Sequence, residues 1–287
     1  MRYRYMLFPQ GKTKALTLSY DDGCIYDIRL AEILERFGMK ATFNLNGMAF
    51  DGERDGWHMT AEEVKQSILR GGHEIAVHGQ RHIAPGCVTK EEGINDILEC
   101  RKTLERTFGG IIRGMAYPDS GIRKLVSGVS LNDIETYIKM LGIVYSRTLG
   151  GDNCNFEMPS DWLCWMPTAH HSNPKLNEYL ELFLRNDKSV SSINGGPKLF
   201  YLWGHSYEFE DNNNWYIIED FCRKASGHDE IWYATNIEIY DYTDAYRSLR
   251  FNIDNTIVFN PSLFEVWFWA DGEIYSVKPG ETLELRQ

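Results

Sequence analysis

The stretch ALTLSYDDG, residues 15–23, decides the fold. Six apolar or β-prone residues, ALTLSY (15–20), run straight into two carboxylates and a glycine. This reads as a strand whose C-terminal end opens into a turn. Gly23 lets the chain turn tightly. Adjacent carboxylates leaving a strand point to different faces, so Asp21 and Asp22 can take different roles. By itself an Asp-Asp-Gly turn also forms with no chemistry attached. Its meaning depends on what the rest of the chain sets beside it.

Working outward, strand and helix patterns alternate. IRLAEILERFG (28–38) predicts a helix closed by Gly38, and ATFNLNG (41–47) the next strand. Thr60 and Glu63 have capping-box spacing at the head of TAEEVKQSILRGG, which stops at Gly71. HEIAVHG (73–79) is a strand. TKEEGINDILECRKTLERTFG (89–109) is a helix opened by Thr and closed by Gly. IRGMAYPDSG (112–121) holds a strand end, SLNDIETYIKMLG (130–142) a helix and IVYSRTL (143–149) a strand. KLNEYLELFLRN (175–186) is helical, and KLFYLWGHSYEF (198–209) is a strand with its following loop. NNWYIIEDFCRKASG (213–227) is helical, and IWYAT (231–235) is a strand.

About seven strand–helix units predict an α/β fold with parallel strands and covering helices. The polar signals Asp21–Asp22, His78–His82, Tyr117–Pro118 and His205 all fall at C-terminal strand ends, the edge where such folds build sites. Residues 251–287 alternate in β fashion, with turns at Asn260-Pro261, Asp271-Gly272 and Pro279-Gly280. The expected organisation is a main domain over 1–250 and a small antiparallel β appendage over 251–287, packed on it as a lid or wall.

Composition narrows the function classes. The chain has 287 residues, 43% of them hydrophobic, as in an ordinary globular protein. Its 30 Lys and Arg against 41 Asp and Glu give a formal charge of −11, which disfavours nucleic acid and anionic membrane surfaces as partners. No apolar run has membrane-helix length. The start, MRYRYMLFPQGKTK, lacks an apolar core and a cleavage site, so no secretion signal is read and a cytoplasmic location is expected. Six scattered cysteines without CxxC spacing suggest free thiols. Sixteen Tyr, 14 Phe and 8 Trp suit a sugar site, a core or an interface alike.

The chemistry comes from pairing the first motif with HEIAVHGQRH (73–82). His78 and His82, at i and i+4, can converge on one ion if the loop turns helically. With one carboxylate they make three protein ligands, the set a catalytic zinc keeps when its fourth position holds water. The other carboxylate is free to act as a base, which completes a kit for metal-assisted hydrolysis. Two histidines and one carboxylate also suit Fe(II) in an oxygenase, but the α/β pattern and the second Asp argue against that. His73, at the strand's start, reads as structural.

These motifs resemble the polysaccharide deacetylase family, also called the NodB-homology group or carbohydrate esterase family 4, over roughly residues 14–235. The resemblance implies a distorted (β/α) barrel and one divalent metal, zinc with cobalt or nickel as alternatives. Ser19-Tyr20-Asp21-Asp22-Gly23 resembles the first family motif, which makes Asp21 the general base and Asp22 a metal ligand. His78-Gly79-Gln80-Arg81-His82 resembles the second and supplies the other two ligands. Gly79 stands where the family has Ser or Thr, which removes a hydrogen bond that would brace the loop.

Tyr117-Pro118 resembles a variant of the third motif, in which the tyrosine N–H helps hold the oxyanion. Arg113 is either the arginine that orients the base or a surface strand residue. Asp161-Trp162 looks like the fourth motif's pair, a pocket wall and a partner for a distant histidine. His170-His171 suggests a second metal site, but no nearby carboxylate completes it in sequence, which favours a structural or rim role. In Tyr201-Leu202-Trp203-Gly204-His205 the resemblance makes His205 the general acid, with Leu202 and Trp203 lining the acetyl pocket and Glu208 able to orient the imidazole. The implied activity is removal of an acetyl group from an N- or O-acetylated sugar, oligosaccharide or polysaccharide. Two alternatives stay open: a metal-dependent hydrolase of a small non-glycan amide or imide, and a carbohydrate-binding protein with an inactive site.

Overall fold

The computed structural model describes residues 3–52, 55–126, 128–150, 156–185 and 196–285. A short strand, β1 (Arg4–Leu7), precedes the quoted stretch, which forms the nine-residue strand β2 (Lys14–Asp22). There follow α1 (Asp27–Arg36), β3 (Thr42–Leu45), α2 (Ala61–Val64), β4 (Glu74–Val77), α3 (Lys90–Phe108), β5 (Gly114–Ala116), α4 (Leu131–Met140) and β6 (Tyr145–Arg147). The series continues with β7 (Ala169–His170), α5 (Leu176–Leu184), β8 (Lys198–Gly204), α6 (Ser206–Asp211), α7 (Tyr216–Ala225), β9 (Ile231–Tyr233) and α8 (Asn236–Arg247). The capping box at Thr60 forms as its spacing predicts, and Thr89, Ser130 and Thr235 cap α3, α4 and α8 in the same way.

Strands β2 to β8 pair in parallel in the order β6-β5-β4-β3-β2-β8-β7, and β9 adds to the start of β2. Residues 165–170 span the two edges. Trp165 bonds to Ser146 and Thr148 beside β6 (3.1 and 3.0 Å), while Ala169 and His170 pair with Leu202 and Trp203 of β8. The sheet therefore curls into a parallel half-barrel clad in helices, the distorted (β/α) barrel that the family resemblance implies.

Alternation along β2 sorts its side chains into two cores. Leu16, Leu18 and Tyr20 face the helices, in the main apolar cluster. Helix α7 meets that cluster with Ile218, Phe221, Cys222 and Ala225, a buried i, i+3, i+4, i+7 stripe. Each large side chain there contributes about 1.5–3 kcal/mol through burial. Thr17, Ser19 and Asp21 face the barrel interior, where polar groups are paired as burial demands. Thr17 Oγ1 donates to Asn236 Oδ1 (2.8 Å), and Asn236 Nδ2 donates to Tyr201 Oη (2.7 Å).

Beyond α8, β10 (Arg250–Phe251), β11 (Ile257–Phe259), β12 (Val266–Ala270), β13 (Glu273–Val277) and β14 (Thr282–Glu284) form two small antiparallel sheets, β10-β11-β14 and β1-β12-β13. The second recruits the N-terminal strand, in the register Arg4↔Ala270 to Leu7↔Trp267. Tyr242 of α8 ties it down: its hydroxyl donates to the Leu7 carbonyl (2.8 Å) and accepts the Trp267 N–H (2.9 Å). Phe8 packs on Trp232 of β9, beside the first residues of β2. These strands sit roughly 20 Å of extended chain from Asp22, so they wall the opposite end of the barrel and do not form a lid over the carboxylates.

Among the described residues, five cysteines are free thiols; Cys154 lies outside them. No described helix is long and apolar enough to cross a membrane.

Candidate active site

The C-terminal edge of the half-barrel gathers Asp21 and Asp22 from β2, His78 and His82 from the loop after β4, Arg147 from β6, His171 after β7 and His205 after β8. Asp22 and His82 both adopt left-handed backbone (φ 79° and 55°), uncommon outside glycine. This turns Asp22 out of the strand's alternation and brings it to the histidines. Its Oδ1 lies 3.3 Å from His82 Nε2 and 3.5 Å from His78 Nε2. Ligand atoms about 2.0–2.1 Å from a tetrahedral zinc stand roughly 3.3 Å apart. The donor set therefore fits a divalent cation, and these three residues could hold one. His78 Nδ1 donates to the Ala116 carbonyl (2.9 Å), which leaves the lone pair of Nε2 facing Asp22. That is the tautomer a ligand needs.

The histidine loop is braced from α3. The Asp96 carboxylate, only 2% exposed, accepts the backbone N–H groups of Gln80 (3.1 Å) and Arg81 (3.0 Å). Asn46 Nδ2 donates to the His78 carbonyl (2.7 Å). Asp96 does the bracing that the glycine at position 79 removes. Gly79 in turn makes room for it: with φ 76°, a Cβ there would stand 2.6 Å from Asp96 Oδ2.

Asp21 is held on both oxygens. Asn44 Nδ2 donates to Oδ1 (2.8 Å), and Arg147 Nη2 donates to Oδ2. Burial would raise the pKa of this carboxyl, but Arg147, His78 and His205 outweigh burial and hold it below its ordinary value. The Arg147 guanidinium also lies over the Trp203 ring, 4.3 Å from its centroid.

On the other side, His205 Nε2 stands 3.9 Å from Asp21 Oδ2 and 4.0 Å from Asp22 Oδ2, and Nδ1 is 2.8 Å from Glu208 Oε1. Burial alone would lower this imidazole's pKa. The hydrogen bond to Glu208 and the charges of Asp21 and Asp22 raise it instead. Tyr207 packs against His205 (5.2 Å between ring centroids) and Trp57 against Tyr207 (5.8 Å), an aromatic wall ending at the 39%-exposed Trp57.

Five expected site residues lie elsewhere or are otherwise engaged. Arg113 forms a two-bond ion pair with Asp241 of α8 (2.9 and 2.6 Å) and does not orient Asp21; Arg147 does. The Tyr117 N–H is spent on the Arg147 carbonyl (3.0 Å), so it does not serve as an oxyanion donor. Leu202 faces the helix-side core, one step out of phase with Trp203. Trp162 packs on Trp165 and Tyr240 within a second apolar cluster. Asp161 caps the turn at Leu163 (2.9 Å) and lies beside Glu135 and Cys164 rather than a histidine. The carboxylate that sequence could not supply for His170 and His171 is Glu208, whose Oε2 is 3.5 and 3.0 Å from their Nε2 atoms.

Residues 9–133 match the model of the Polysaccharide deacetylase family. The chain is similar to chitin disaccharide deacetylase of Vibrio alginolyticus, at 30% identity over 133 residues, which are 46% of this chain and 30% of that protein. The match thus spans under a third of the relative's length. Among solved structures, a polysaccharide deacetylase candidate from Mycobacterium smegmatis aligns with a TM-score of 0.57 at 17% identity, over 86% of this chain and 96% of that one. Puue allantoinase aligns at 0.55 and 13% identity, over 81% and 90%. Both likenesses concern the fold.

Proposed function

We propose that this chain is a metal-dependent hydrolase that removes an acetyl group from an N- or O-acetylated sugar, oligosaccharide or polysaccharide. The observation that carries this reading is the convergence of Asp22, His78 and His82 between an ionised Asp21 and His205. Asp22, His78 and His82 would hold a divalent cation, which when bound would supply Lewis-acid polarisation of an acyl oxygen and a more acidic water.

The rest is done by side chains. Asp21, kept ionised by Arg147 and Asn44, accepts the proton of the attacking water at a carboxylate oxygen. His205, kept protonated by Glu208 and the two aspartates, gives a proton from Nε2 to the departing nitrogen or oxygen. The two groups have their pKa values pushed apart in the directions a base and an acid require. Trp203 walls the acyl side, and Trp57 with Tyr207 offers ring faces to a sugar. The Vibrio relative makes the chitin disaccharide the first substrate to try.

The test is elemental analysis of wild type and His78→Ala purified alike, followed by acetate release from the chitin disaccharide and a panel of acetylated sugars. About one metal per chain, as a three-ligand catalytic site holds, lost in the variant and matched by acetate release, is the expected result. A wild type without metal even after reloading would sink the hydrolase and leave a carbohydrate-binding protein.

A further inference from the structure

Behind His205, three imidazoles meet at one carboxylate. Glu208 Oε1 faces His205 Nδ1 (2.8 Å), and Oε2 faces His171 Nε2 (3.0 Å) and His170 Nε2 (3.5 Å). His171 is 2% exposed and stacks on Phe209, 4.0 Å between ring centroids, with Tyr20 also stacked on it. Gly204 gives it room, because a Cβ there would collide with the His171 ring.

Two chemistries suit two histidines and a glutamate: a second divalent cation, or a carboxylate held by N–H donors. The ring protons decide between them. The Ser172 N–H donates to His170 Nδ1 (3.2 Å), so that nitrogen is an acceptor and the proton sits on Nε2, toward Glu208. His171 Nδ1 is buried without a hydrogen-bond partner among the described residues. Its Nε2 lies 3.0 Å from a Glu208 oxygen, and an ionised carboxylate only accepts, so this proton also sits on Nε2. A metal ligand would need both Nε2 atoms bare and a partner for Nδ1–H, as His78 has in Ala116.

We propose that His170 and His171 are positioning residues, whose Nε2–H groups clamp the Glu208 carboxylate so that it fixes the proton of His205 on Nδ1 and aims Nε2 at the departing group. This rests on the acid role given to His205 above. Burial would raise the Glu208 pKa, yet the three imidazole hydrogen bonds hold it well below the carboxylate range, as such a clamp requires. The clamp spans two elements, β7 with its following residue and α6, so the spacing around His205 alone does not reveal it.

The experiment uses the full chain with His171→Phe, which keeps the stack on Phe209, together with His170→Gln and Glu208→Gln. Two substrates are compared: an acetylated amino sugar, whose amine needs a proton to leave, and 4-nitrophenyl acetate, whose leaving group does not. His171→Phe and Glu208→Gln should lose kcat on the amide by about 100-fold, the lower range for general acid catalysis, and keep ester hydrolysis within about threefold. His170→Gln, with the longer contact, should show the same split more weakly. Nitrogen-15 NMR of the histidine rings should find neutral His205 protonated on Nδ1 in wild type and as a mixture in His171→Phe.

Equal losses on both substrates, or no loss on either, would overturn the proposal. So would a second bound metal per chain that disappears with His171→Phe. If wild type cleaves neither substrate, the deacetylase reading fails instead, and an unchanged His205 tautomer in the variant would separately refute the clamp. Should His171→Phe not fold, His170→Gln carries the same readouts.

Discussion

Arg147 and Asp21 form an ion pair inside the barrel, with their side chains 0% and 3% exposed. The pair joins β6 to β2 across the interior. Arginine cannot shed its proton to escape burial. Nε and Nη1 of Arg147 have no hydrogen-bond partner among the described residues, so its charge is answered by Asp21 and by the Trp203 ring. Removing either partner strands the other charge, at a cost of about 3–5 kcal/mol. Arg147→Met and Asp21→Asn should each lower stability by that order in urea unfolding, and the double variant should recover much of the loss. Additive losses would show that the charges are answered elsewhere. The pH sign follows from Asp21's depressed pKa. The pair's stabilisation is complete above the unfolded carboxyl pKa, about 3.9, and is lost as the pH falls below it.

The same pair separates stability from chemistry. On the proposed mechanism Asp21→Asn removes the base and should lower kcat by about 100- to 10,000-fold while the metal stays bound to Asp22, His78 and His82. Metal content measured beside turnover checks this. Loss of the metal in Asp21→Asn would exchange the roles of the two aspartates.

Much of this was legible in the sequence, for a physical reason. Asp21, Asp22, His78 and His205 each end an apolar run, and a run that stops at polar residues marks the sheet edge where sites form. Arg147 was harder to see. Arg113 precedes a strand and looks placed to serve the site, but it stands at the strand's start, where Asp241 of α8 takes it. The available signal was a charge inside IVYSRTL, since a charged residue within a buried strand needs a partner. Leu202 follows strand alternation away from the site: Tyr201 and Trp203 share the interior face, so 202 cannot. The Tyr117 N–H was invisible because strand pairing, not spacing, spends it.

The histidine loop offers a third test. Gly79 and Asp96 fit each other: the glycine's missing Cβ leaves room for the carboxylate that braces Gln80 and Arg81. Gly79→Ser restores the residue type usual in the resembling motif, yet here it should destabilise by about 1–3 kcal/mol, because φ is positive and the space is filled. Asp96→Asn should loosen the loop and weaken metal affinity about 10- to 100-fold, as lost support of ligands does. Urea unfolding measures the first, and isothermal titration with zinc after chelation the second. A stabilised Gly79→Ser would mean that Asp96 can move aside.

Acid stability gives the last test, because two neighbours in sequence titrate against each other. His73 is 5% exposed; its Nδ1 accepts the Ala41 N–H (3.0 Å), and Nε2 has no partner among the described residues. Burial first, and the Lys40 charge second, lower its pKa to about 4. Between about 6.5 and 4 the unfolded chain takes a proton that the folded one refuses, so stability falls as the pH falls, by up to about 1.4 kcal/mol per unit. Glu74 behaves oppositely. It accepts from Thr42 (2.7 Å), Tyr145 (2.6 Å) and the Ile237 N–H (2.9 Å), yet burial pushes its pKa up to about 7. The folded state keeps a proton that the unfolded state releases above about 4.3, so stability falls as the pH rises toward 7. From about 4.5 to 6.5 the two slopes cancel in the wild type. His73→Asn, which keeps an acceptor for Ala41, should expose the Glu74 slope, and its melting temperature should fall from pH 4.5 to 7. Glu74→Gln should expose the His73 slope, with a melting temperature that rises from pH 4 to 6.5. Slopes of the same sign in the two variants would mean that one of these groups is solvated in the folded chain.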